Sequence, residues 1–151
     1  MATSDFSNPE REGTGRTSVD EVHRRVGRNL LMFQAAEEGL RFSLPYVHPD
    51  SSKNGAQAMR EYTERRVSDK SLGFLIEQFK QAANGDAQML AEELEAFVDA
   101  RNELVHHFYR NPRFDLRGPD GVPAALAYLD EQYERARAWA DVFRAQAIAV
   151  L

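Results

Sequence analysis

DAQMLAEELEAFVDARNELVHHFYRNP, residues 86–112, carries Leu90, Leu94, Phe97, Arg101, Leu104 and Phe108 at steps of three or four. That spacing draws one stripe along a helix and marks it as the face that packs. Asp86 reads as the N-cap, and Asn111-Pro112 ends the run. Every position of the stripe is Leu or Phe except Arg101. A guanidinium keeps its charge in any protein environment, and burying it unpaired is costly. Arg101 must therefore be paired, reach solvent along its stem, or face an anion.

The same periodicity recurs outward from this helix. Ser18-Val19-Asp20-Glu21 has the form of a capping box. Val22, Val26, Leu30, Phe33, Leu40 and Leu44 follow at helical spacing, and Pro45 is expected to close a first helix of roughly 26 residues. Residues 48–54 (HPDSSKN) read as a polar turn, and residues 56–66 as a shorter, mostly polar helix. Ser68 or Asp69 is placed to cap a core helix holding Leu72, Leu75, Ile76 and Phe79, which ends near Asn84-Gly85. Residues 110–122 read as a loop. Pro123 then starts a last helix with Leu126, Leu129, Tyr133, Ala136, Ala140, Phe143 and Ala147. β alternation never exceeds three or four residues. These elements predict an all-α, up-and-down four-helix bundle with a short fifth helix. Residues 1–17 are polar and expected to be a disordered tail, leaving residues 18–151 as a single domain.

Composition narrows the class. At 151 residues, with 42% apolar and 28% charged side chains, the chain has the make-up of one globular domain. It holds no cysteine, which removes disulfides, thiol nucleophiles and cysteine metal sites. No run approaches the roughly 18 apolar residues of a membrane span, and the N-terminus lacks the basic start and apolar core of a signal peptide. A soluble, cytoplasmic protein is expected. The net charge of −5 argues against coating nucleic acid, because neutralised phosphates supply most of that affinity. Contact with nucleic acid, if made, is local and brief.

Asn102 and His106 lie four apart and share one helix face, so the amide can orient the imidazole. Arg101 and His106 lie five apart, about 140° around a regular helix. Two such helices meeting across a two-fold axis would bring each arginine towards the other's histidine. The structural alternative is an arginine at the edge of the core, paired with Asp99, Glu103 or a carboxylate on another helix.

The run Arg101-Asn102-Glu103-Leu104-Val105-His106 resembles the R-x4-6-H motif of the HEPN (higher eukaryotes and prokaryotes nucleotide-binding) family, including the polar residue after the arginine. The likeness covers roughly residues 86–110. It implies a helical bundle that dimerises and, in many members, a metal-independent ribonuclease of toxin–antitoxin or antiviral defence systems. By that resemblance His106 is the general base for attack of a ribose 2′-OH on the adjacent phosphate, a task suited to a group that ordinarily titrates near neutrality. Arg101 holds the scissile phosphate and its developing charge, and Asn102 positions the histidine or a phosphate oxygen. The implied partners are RNA, a second copy of the chain and an antitoxin or other protein, with no cofactor and no membrane. Phe108 stands where the toxin branch commonly carries tyrosine, as R-x4-H-x-Y. Aligning on His107 instead restores a tyrosine at Tyr109 but gives up the Asn102–His106 pairing.

Around the motif, Arg110, Arg113 and His107 are candidate substrate-binding residues, with Arg117 nearby and a second basic spot at Arg65, Arg66 and Lys70. Glu103-x-x-His106 has the spacing of a di-iron ligand pair, but the chain offers only Asp20-x-x-His23 beside it. A metal site is therefore not expected. Two rivals to the nuclease remain. One is a HEPN-type module that binds a nucleotide, an RNA end or a protein without cutting; the other is a purely structural helical partner.

Overall fold

The stripe from Val22 to Leu44 is the inner face of one long helix, α1 (Glu10–Val47). The computed structural model describes the backbone of residues 10–83 and 87–149, and the side chains of residues 18–83 and 89–149. Helix α1 begins upstream of Ser18, within the segment expected as a tail, so the Ser18–Glu21 box is not a helix start. Glu21 instead pairs with Arg24 and Arg25 one turn on, at 3.0 and 2.8 Å, and these guanidiniums hold its carboxyl below the usual range. Pro45 does not stop the helix either. Proline removes a single backbone donor, and only Tyr46 and Val47 follow it before the helix closes.

Short elements fill the region read as a turn. His48 caps α2 (Pro49–Ser52), its Nδ1 accepting from the Asp50 N–H at 3.2 Å. Next comes α3 (Gly55–Arg66), entered through Gly55 at φ +84°, where a side chain would be strained. Helix α4 (Leu72–Ala82) is capped by Ser71, not by Ser68 or Asp69. The Ser71 hydroxyl accepts from the Phe74 N–H at 3.4 Å, whereas the Ser68 hydroxyl is spent on the Thr63 carbonyl at the end of α3. The expected stop at Asn84-Gly85 and cap at Asp86 lie outside the described residues. Helix α5 (Ala87–Asn102) follows, and α6 (Gly121–Ala149) begins two residues before Pro123.

Counting α3 in, the long elements alternate in direction. The pocket-lining residues Arg41 to Tyr46 and Ala56 to Glu64 face each other, and Arg41 reaches the carbonyls of Val67 and Lys70, so α3 runs back along α1. Lys80 pairs with Glu95, and Gly73 sits opposite Val98, so α4 and α5 are antiparallel. Phe33 packs on Phe97 and His23 on Tyr109, which turns the α5 segment against α1. Finally Asn29 bonds to Leu129 while Gly39 approaches Phe143, so α1 and α6 run parallel. A four-helix alternation would have made first and last antiparallel. The short α3 adds the extra reversal, and the bundle closes with five.

The core lies between α1, α4, α5 and α6. Leu40, Leu44, Leu75, Ile76, Leu94, Leu129 and Phe143 are essentially inaccessible, and each such side chain stabilises by about 1.5–3 kcal/mol. Aromatic pairs bind the layers together: Phe33–Phe97 at 5.1 Å, Phe79–Phe143 at 5.4 Å and Phe97–Trp139 at 6.4 Å between centroids. A Cβ on Gly39 would lie 3.2 Å from the Phe143 Cβ, so the absent side chain lets α1 and α6 approach. Asn29 is the polar exception in this layer. Fully buried, it donates through Nδ2 to the Leu129 carbonyl at 2.7 Å, which removes the penalty of an unmet amide. Among the described residues no helix is long and apolar enough to cross a membrane.

Candidate functional site

Helix α5 keeps α-helical geometry through Leu94 and Phe97, then widens. Residues Glu103–His107 form a π-helical turn, Phe108–Arg110 a 3-10 turn, and Pro112–Phe114 a second one. Single π turns inside helices recur at functional sites because they re-aim side chains without ending the helix. Here the change begins immediately after Asn102. Leu104 and Phe108 stay buried on either side of it, while Val105, His106 and His107 face outward. Bonding from i to i+5 narrows the angle of about 140° that a regular helix would set between Arg101 and His106.

Arg101 is half-buried in a cleft of about 340 Å3 between α1 and α5, with Leu30, Phe33, Gln34, Glu37 and Glu38 on the opposite wall. Its Nη1 donates to Asn102 Oδ1 at 3.4 Å, a long bond to its own neighbour. Among the described residues it makes no ion pair. The internal salt bridge to Asp99 or Glu103 is not formed: the Glu103 carboxylate accepts from Asn111 Nδ2 at 2.9 Å. Glu37 and Glu38 are turned to Arg41. Other arginines that are mostly covered behave differently, for Arg25 holds Glu21 and Asp130, and Arg41 holds Glu37 together with the carbonyls of Val67, Ser68 and Lys70.

The expected Asn102–His106 bond is absent. Asn102 spends its amide oxygen on Arg101. His106 and His107 are both exposed, with ring centroids 6.1 Å apart at 63°. Neither makes a side-chain hydrogen bond among the described residues, and neither lines the Arg101 cleft. Within one chain, then, Arg101 and Asn102 are together and His106 and His107 are together, without a bond joining the two pairs.

The loop beyond is anchored rather than loose. Phe114 is buried, stacks on Phe108 at 5.0 Å and meets the Tyr128 ring at a tilt, 4.8 Å between centroids. This fastening leaves Arg110 and Arg113 on the surface without a carboxylate partner among the described residues; the Arg113 guanidinium sits 5.4 Å from the Phe114 ring. Arg117 separates from them. It binds Asp115 through both Nε and its backbone N–H, and the backbone bond is the main cause of that carboxyl's lowered pKa. Arg65 and Arg66 close α3, beside the Arg41 end of α1. His23 and Tyr109 mark the other end, about 27 Å away along the helix axis. The second basic spot therefore does not adjoin the histidines.

Compared with family models, curated proteins and solved structures, the chain has no match.

Sequence reasoning missed four contributors. Gln34, Glu37 and Glu38 face Arg101 from α1, invisible until the helices are packed. Asn111, read only as a helix break, proves to be a bonding hub. Its proximity to Pro112, with a free amide side chain, was the available signal for a turn-capping role. Among the described residues no cluster of three or more His, Asp or Glu has the arrangement of a metal site.

Proposed function

We propose that this chain is a HEPN-type, metal-independent endoribonuclease that works as a homodimer, of the kind found in toxin–antitoxin or antiviral defence systems. The observation that carries the reading is Arg101: a half-buried guanidinium in a cleft, with a side-chain amide as its only partner among the described residues. A permanent cation held this way is set to receive a phosphate. The exposed imidazoles of His106 and His107 lie on the same connected segment as Arg110 and Arg113, which have no carboxylate partner among the described residues.

In this reading two copies meet so that the histidine of one faces the arginine of the other. Exposed Leu31 shares a face of α1 with Gln34 and Glu38, and exposed Val105 adjoins His106, giving an apolar rim for that contact. His106 takes the proton from a ribose 2′-OH, the freed oxygen attacks the adjacent phosphorus, and the bond to the 5′ oxygen breaks. That oxygen leaves as a hydroxyl after accepting a proton, and a 2′,3′-cyclic phosphate remains. Arg101 neutralises the non-bridging oxygens as charge builds. A cysteine-free chain also suits a reducing cytoplasm.

One observation favours a second reading, a HEPN-type module that holds a nucleotide, RNA end or protein without cutting. Among the described residues, His106 has no side-chain hydrogen bond that would orient it as a base. The test is to incubate wild type and His106→Ala with a mixed RNA pool in EDTA and examine the product ends. Cyclic-phosphate ends from wild type alone are the expected result. A folded, dimeric protein that leaves the pool intact would favour the binding module.

A further inference from the structure

Asn111 uses its backbone and side chain on four different neighbours. Its N–H donates to the His107 carbonyl at 3.1 Å and lies 3.3 Å from that of Phe108. Its Nδ2 donates to Glu103 Oε1 at 2.9 Å, and its Oδ1 accepts from the Arg113 N–H at 3.0 Å. Glu103 and His107 are the first and last residues of the π turn. The Glu103–Asn111 bond thus runs from the start of the turn to the residue just beyond its 3-10 extension. It closes the segment that carries His106 and His107 into a ring.

Two features argue that this closure holds the histidines rather than merely ending a helix. Both partners are partly shielded from water, where a carboxylate–amide bond is stronger than on an open surface. The same amide also fixes the backbone of Arg113, so one residue sets the histidines and a candidate phosphate-binding arginine in a common frame. A π turn gains no stability from its own wider geometry, and it persists where the surroundings over-determine it. Phe108 and Phe114 supply the apolar part of that constraint; Glu103 and Asn111 supply the directional part.

We propose that Glu103 and Asn111 are the positioning residues of the candidate site, fixing the π turn so that the backbone carrying His106 and His107 holds one orientation relative to that of Arg113. The inference rests on the nuclease reading only for its catalytic consequence; the orientation itself is tested without turnover.

Three variants separate the outcomes, each followed by NMR of the His106 and His107 ring protons and by thermal melting. Asn111→Asp places two carboxylates together and removes the donor. The double variant Glu103→Gln with Asn111→Asp reverses the bond, because the new amide can donate to the new carboxylate. Asn111→Ala removes the side chain without adding charge. The expected result is that Asn111→Ala and Asn111→Asp shift and broaden both sets of ring signals, and that the double variant restores them to wild-type positions. Ring signals unchanged in Asn111→Ala would overturn the proposal, and so would a double variant no closer to wild type than Asn111→Asp alone. If wild type cleaves RNA, kcat falls in Asn111→Ala by up to about 100-fold, with KM little changed, and recovers in the double variant. Absence of cleavage by wild type would count against the nuclease and leave the NMR result to decide the positioning role.

Discussion

Arg101 donates to Asn102 at 3.4 Å, and this bond engages the amide that helical spacing had assigned to His106. The arginine sits on a core-facing stripe between Phe97 and Leu104, both buried, yet it gains no carboxylate there among the described residues. Replacing an unpaired, half-buried cation by an apolar side chain of similar reach relieves desolvation without breaking a pair. Arg101→Leu is therefore expected to leave the melting temperature unchanged or raise it, by at most about 1–2 kcal/mol in unfolding free energy. The same variant should weaken binding of a non-cleavable 2′-O-methyl oligonucleotide. A clear drop in melting temperature would instead assign Arg101 a structural role.

The two histidines can be told apart by single substitution. Both are exposed, so neither His106→Ala nor His107→Ala should move the melting temperature by more than about 0.5 kcal/mol equivalent. Cleavage of RNA should fall by about 100-fold or more in His106→Ala, and by less in His107→Ala. The reverse ranking would select the register that aligns on His107 and Tyr109.

Tyr62 gives the fold an alkaline limit. It is buried against His48 at 4.8 Å, and its hydroxyl donates to Gln78 Oε1 at 3.2 Å. Burial pushes its phenol up to about 12, against about 10 for an unfolded tyrosine. The folded state thus holds this proton more tightly. Its contribution is complete below pH about 10 and is lost as pH rises towards 12, on the order of 2–3 kcal/mol in total. Lys80, raised by its bonds to Glu77 and Glu95, adds a loss of the same sign. Urea midpoints should fall across that range in wild type and fall less steeply in Tyr62→Phe.

Two glycines should respond oppositely to alanine. A Cβ at Gly121 would lie 1.8 Å from the Asp115 carbonyl oxygen, and that backbone cannot yield cheaply. Gly121→Ala should cost about 1–3 kcal/mol or more. Gly27 is exposed within α1, with nothing within 4 Å of its added Cβ, so Gly27→Ala should stabilise by about 0.5–1 kcal/mol. Chemical denaturation of the pair checks both signs in one experiment.

Asn29 tests whether the parallel α1–α6 contact depends on its buried bond. Asn29→Ala removes the donor to Leu129 and leaves a small void, for an expected loss of about 1–3 kcal/mol. A neutral result would mean that Gly39 and Phe143 hold the crossing unaided.

The helical class and most core positions were legible in the chain alone, because a buried stripe must repeat at the helical period whatever it packs against. Leu40, Leu44, Leu75, Ile76, Leu94, Phe97, Leu129 and Phe143 are all buried. Arg101 stood out for the same reason, as a charge on an apolar stripe. Helix ends were less legible. Ser18 has the chemistry of a cap but lies inside α1, and Pro45 has the chemistry of a stop but is followed by two more helical residues; local propensity is a weak guide to a helix end. What only the tertiary structure decided was direction and register. The reversal supplied by α3 makes α1 and α6 parallel, and the residues after Asn102 wind as a π turn. Periodicity records which face of a helix is buried; it does not record the sense in which helices run or a local change in residues per turn. Those follow from how side chains such as Asn29, Phe114 and Asn111 meet partners distant or several residues away in the chain.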